Sequence, residues 1–180
     1  MPSLVTQLIN LFAAVLLLLS FGLLAQRRVL SLIHLFTLQG LVLAASTTTM
    51  AYFTGQPHLY WSAAITLVLK VFLMPWLLHR MIERLNVRWD VETLINIPTT
   101  MLIGIVLVIF SFNLALPISG LSQSVARGTL GIALACVLLS FLMMITRTKA
   151  IPQVIGFLAM ENALFFAATS ATYGMPLVVE

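Results

Sequence analysis

Five side chains that could move or hold a proton stand inside stretches that are otherwise apolar: Glu161, Lys70, His34, Gln39 and Asn162. An ionisable group at the centre of a membrane helix costs roughly 2.5 to 3.5 kcal/mol on insertion scales, so such residues face protein or water and mark ion pathways or fixed ion pairs. A carboxylate such as Glu161 takes up and releases protons. An ammonium such as Lys70 stabilises or discharges a nearby carboxylate. His34, near one end of its segment, belongs to the residue type that titrates near neutral pH and can either pass protons or serve as a hydrogen-bonded interface residue. Gln39 and Asn162 can orient water or simply hydrogen-bond across helices. For Lys70 and Glu161 the structural alternative is a packed ion pair or a snorkelling side chain.

Other chemistries find no pattern. His34, His58 and His79 lie far apart without metal-ligand spacing, there is no CxxC, and no glycine-rich phosphate loop occurs. The chain is expected to hold no metal and no cofactor of its own. Ser62 or Ser111 with Lys70 gives no arrangement that distinguishes an intramembrane protease, so no catalytic residue is assigned. The single Cys136 permits no internal disulfide.

The elements that must carry these residues follow from composition. Hydrophobic residues make up 61% of the 180, and only 8% are charged, against roughly 25% in an ordinary soluble domain. A membrane helix needs roughly 20 apolar residues, and that length recurs with charges confined to the gaps. A strand-built pore would alternate apolar and polar residues; runs such as Val15-Leu16-Leu17-Leu18-Leu19 do not. The first segment has no basic residue ahead of it and exceeds a signal-peptide core, so it reads as a retained helix. The fold class is all-α integral membrane, a single domain over residues 1–180. Helices are predicted at about residues 4–26, 30–52, 59–79, 99–118, 128–146 and 152–173. The longest polar connection follows His79, and its beginning extends the third helix into solvent.

Assigning the gaps alternately to two sides places Arg27, Arg28, Arg80, Arg84, Arg88, Arg147 and Lys149 on one side and Arg127 alone on the other. Under the positive-inside rule the basic side is cytoplasmic, which makes this a multi-pass protein of the bacterial inner membrane with a periplasmic N-terminus. That asymmetry explains the net charge of +4 without nucleic acid as a partner. In intact cells an impermeant thiol reagent should modify a cysteine placed at Gln56 and spare one at Arg88; the reverse pattern would invert the topology.

Shifting the sequence by 122 positions lays Leu38-Gln39-Gly40 over Met160-Glu161-Asn162 and Arg27-Arg28 over Lys149-Ala150. Two parallel three-helix repeats result, at about residues 4–79 and 128–180, joined by a linker helix at about 99–118. Met175 to Glu180 open a truncated seventh helix, the counterpart of the third. Pro75 cannot donate to the carbonyl of Val71, four residues earlier, so a kink beside Lys70 is expected. Ala159, Ala163, Ala167 and Ala171 recur every fourth residue, with Glu161 about 200° away at 100° per residue, so both faces of the last helix require a protein partner.

The stretches Leu59-Tyr60-Trp61-Ser62-Ala63-Ala64-Ile65-Thr66-Leu67-Val68-Leu69-Lys70 and Ile155-Gly156-Phe157-Leu158-Ala159-Met160-Glu161-Asn162 resemble the hydrogenase-4 component E family of formate-hydrogenlyase-type complexes. The second also resembles the small K subunit of respiratory complex I. The resemblance implies a non-catalytic membrane subunit of an energy-converting hydrogenase, beside antiporter-like and other membrane subunits and lipid, contributing to proton or sodium translocation coupled to electron transfer. Glu161 would be one station in a line of ionisable groups, with Lys70 and His34 as further proton-transfer candidates and Gln39 and Asn162 in support. A second acidic station is implied on the helix after Glu161, beyond the last residue of this sequence. Two rival readings stand beside it: a subunit of a multisubunit cation/proton antiporter, and a structural assembly scaffold.

Overall fold

The computed structural model describes residues 4–55, 57–85, 91, 93–118 and 124–174. Its elements are α1 (Leu4–Ala25), α2 (Val29–Thr54), α3 (Pro57–Thr66), a π-helical segment (Leu67–Leu73), α4 (Met74–Leu85), α5 (Ile97–Ile118), α6 (Ser124–Thr146) and α7 (Ala150–Gly174). Six helical stretches are long and apolar enough to cross a membrane, with α3, the π-helical segment and α4 continuous as the third. Among the described residues the chain is all-helical, with no strand; Thr93 and Arg147 form an isolated antiparallel bridge.

Local chemistry sets the breaks. α2 ends where Gly55 adopts φ +65°, a left-handed conformation that costs glycine nothing, and its N–H closes on Ala51 O. Pro57 opens α3, where a missing N–H has no cost. At the opposite, basic end, Val91 N–H donates to Arg27 O at 2.8 Å and Leu94 N–H to Thr146 O at 2.9 Å. This short stretch therefore pins the end of α1 to the end of α6. Arg88, Asp90 and Glu92, and the opening of a seventh helix at Met175 to Glu180, lie outside the described residues, as does the Arg127 side chain.

α1, α2, α6 and α7 form the centre. α5 packs on α6 and α1, while the third stretch lies against α2. Near the basic end Leu23, Leu32, Phe36, Leu139, Met143 and Ile155 are buried together. Toward the other end Ala13, Leu16, Leu43, Ala133, Ala163 and Phe166 form a second cluster. Small residues let helices meet where lipid-like surroundings give hydrophobicity little grip: Gly156 of α7 sits so close to α6 that a Cβ there would lie 2.9 Å from Met144 Cγ. Ala159 and Ala163 are buried on this inner face and Ala167 is half-buried; the Ala171 side chain is outside the described set. The face carrying Glu161 is exposed. This chain's own helices therefore enclose α7 on one side, and on the other Lys70 approaches Glu161.

Candidate functional site

The polar residues predicted on separate helices converge at mid-span. Lys70 Nζ, from the π-helical segment, donates to Asn162 Oδ1 of α7 at 2.6 Å and lies 3.3 Å from Glu161 Oε1. Asn162 Nδ2 donates to Gln39 Oε1 of α2 at 3.4 Å, and Gln39 Nε2 donates to Ser20 Oγ of α1 at 3.3 Å. Ser20 Oγ in turn donates to Leu16 O within its own helix at 2.9 Å. Gln39, Asn162 and Ser20 are buried, whereas the Lys70 and Glu161 side chains are 13% and 54% exposed. The line starts at an open carboxylate and ends at a backbone carbonyl inside the bundle.

Its polarity is consistent along its length. Every donor points away from Lys70, so both amide oxygens are turned toward the ammonium and their dipoles favour its charge. A charged donor makes the strongest bond of the series, which agrees with the short Lys70–Asn162 distance. The amides and the serine hold geometry and do not titrate, so the titratable groups of this cluster are Lys70 and Glu161.

Two features of the backbone place Lys70. Gly40 of α2 faces it so closely that a Cβ on Gly40 would stand 3.2 Å from Lys70 Cβ and 3.7 Å from Lys70 O. Within the π-helical segment, Met74 N–H reaches back five residues to Leu69 O. Pro75 follows and has no N–H. In a π register the carbonyl that Pro75 leaves unserved is that of Lys70 and in an α register that of Val71, and the expected local break takes the form of a π-helical stretch.

His34 does not join the site. It precedes Gln39 by five residues, which turns it about 140° around α2, and its side chain is exposed. Lys70, Glu161, Asn162 and Gln39 are thus brought together and His34 is not. Ser20 and Gly40 escaped the sequence reading: a serine in a leucine-rich helix bonded to its i−4 carbonyl and a glycine in a helix interior carry no individual signal. Cys136, buried on α6, lies beside Ser20.

Arg147 was read only as a marker of sidedness, yet its side chain is among the most buried, at 2% exposure. Nη2 donates to Leu23 O at 3.3 Å and Leu24 O at 2.8 Å, which caps the carbonyl end of α1 with a positive charge. Burial pulls its pKa below the ordinary arginine value. No group of three or more metal-ligating side chains occurs among the described residues.

The fold and site define an all-helical protein with six stretches able to cross a bilayer and a Lys70–Glu161 pair at mid-span. No family model matches the chain, and no solved structure matches it. It is 30% identical over 171 residues, 94% of its own length and 78% of the other's, to Uncharacterized protein Rv0085 of Mycobacterium tuberculosis. The chain belongs to the same family as that mycobacterial protein.

Proposed function

We propose that this chain is a multi-pass subunit of the bacterial inner membrane, with a periplasmic N-terminus, in an energy-converting, formate-hydrogenlyase-type hydrogenase complex. In that role it is non-catalytic and contributes to proton or sodium translocation coupled to electron transfer elsewhere in the complex. The observation that carries ion translocation is the Lys70–Glu161 pair at 3.3 Å, held by three neutral polar groups and open on the Glu161 side. The hydrogenase setting rests on the resemblance of the stretches ending at Lys70 and Asn162. Glu161 exchanges the proton; Lys70 alternately holds and releases the carboxylate; antiporter-like subunits cover the open side. Of the rival readings, the scaffold gains from the same geometry, because one hydrogen-bonded line ties α1, α2, α7 and the Lys70 segment together.

Glu161→Gln tests the proposal, since it keeps the shape and removes the titrating group. The variant complex should assemble fully. Proton uptake by vesicles containing the reconstituted complex, compared at matched hydrogen-evolution rates, should be largely lost. Wild-type uptake would reduce Glu161 to a structural residue and put the scaffold ahead. Assembly with a cation/proton antiporter in place of nickel–iron subunits would favour that rival.

A further inference from the structure

Lys70 sits within seven consecutive π-helical residues, Leu67–Leu73, none of them buried. Such stretches are rare and occur frequently at functional sites. Two external holds exist here. The Lys70 ammonium is bound to Asn162 and Glu161 of α7, and Lys70 rests against Gly40 of α2, where an added Cβ would stand a tight 3.2 Å from Lys70 Cβ. The helix itself defends its α register weakly at this point, because Pro75 deletes the bond that an α-helix would form to Val71 O. In the π register the carbonyl passed over is that of Lys70. The unserved position thus moves by one residue as the register changes, and no large buried side chain has to be withdrawn.

We propose that Leu67–Leu73 is a two-register switch governed by the charge on Glu161. With Glu161 ionised, its pair with Lys70 holds the π register. With Glu161 neutral, Lys70 loses its charged partner, the segment relaxes toward the α register, and α4 turns relative to α3. Lys70 and Glu161 are the ionisable groups at this contact; Asn162 of α7 and Gln39 of α2 face it as neutral amides. His34 is exposed on another face of α2. The difference between closing on the fifth and the fourth residue is one residue, about 100° of rotation and 1.5 Å of rise. The proposal deepens the reading of Glu161 as the proton-exchanging group and rests on it for function, while the movement itself is measured separately.

The test is a spin-label distance between Leu77→Cys on α4 and Leu102→Cys on α5, both exposed positions, in the full chain in lipid nanodiscs with Cys136→Ala. A rotation of about 100° at a side-chain radius of about 5 Å displaces the α4 label by about 8 Å. The starting protein and Glu161→Asp should give one shared distance. Glu161→Gln and Lys70→Met should both give a shifted one, and Gly40→Ala should produce the shift with Glu161 intact by crowding Lys70. An unchanged distance in Glu161→Gln and Gly40→Ala overturns the switch. Should either variant fail to insert, Lys70→Met decides by the same criterion. An unchanged distance with lost ion uptake rejects the switch and spares the relay; a shifted distance with normal uptake does the reverse.

Discussion

Lys70→Met should destabilise the protein more than any other single change at the polar line. The side chain is mostly buried, and its removal strands Asn162 Oδ1, which has a 2.6 Å partner in the native protein. Leaving a buried acceptor unmade costs about 1 to 3 kcal/mol, more when the lost bond was charged. Glu161 loses its cation at the same time. At mid-membrane an unpaired carboxylate is costly enough that it will hold a proton rather than remain charged. The variant should therefore show a lower melting temperature in detergent and lost ion uptake together. Glu161→Leu in the Lys70→Met background should recover part of the stability, because removing both members of a desolvated pair leaves less unpaired than removing one. Their coupling in a double-mutant cycle should fall at about 0.5 to 3 kcal/mol. A Lys70→Met protein as stable as the parent would mean that the ammonium is solvated and that the polar line has no structural weight.

The helical elements were legible because they depend on length and polarity alone. Twenty-residue apolar runs are separated by Gly55 and by arginine-bearing gaps, and the helix ends fall within a few residues of those predicted, with the third stretch continuing past His79 to Leu85 as its polar extension implied. The site was legible for a related reason. Lys70, Glu161, Gln39 and Asn162 stand out because a polar group in an apolar run must find a partner, and the structure supplies each with one. What sequence could not give was depth and rotation around the axis. His34 has the chemistry of a proton carrier, yet the rotation of α2 turns it away from the cluster. Gly40 and Ser20 have unremarkable types and acquire a role only from the element opposite. The π register was hidden because Pro75 announces a broken bond without saying which carbonyl loses it.

Arg147→Ala should be the most damaging substitution at the basic end, although nothing there belongs to the Lys70–Glu161 pair. The guanidinium lies at the junction of three elements. It caps Leu23 O and Leu24 O at the end of α1, its backbone bridges Thr93, and its own carbonyl accepts from Gln153 Nε2 of α7 at 2.8 Å. Hydrogen bonds from a charged donor are worth about 1.5 to 3 kcal/mol each, and truncating so large a buried side chain also leaves a cavity. Part of this is offset, because Nε and Nη1 have no partner among the described residues and their desolvation is relieved by the change. A loss on the order of 2 to 4 kcal/mol is therefore expected. Arg147→Lys should recover little of it. A lysine keeps the charge, but its ammonium sits on a differently shaped stem and does not place a donor where Nη2 meets both Leu23 O and Leu24 O. Denaturation in mixed micelles, followed by helical circular dichroism, would measure both variants. If Arg147→Ala cost less than about 1 kcal/mol, the arginine would be a topology marker that happens to be buried, and the cap on α1 would have to come from water.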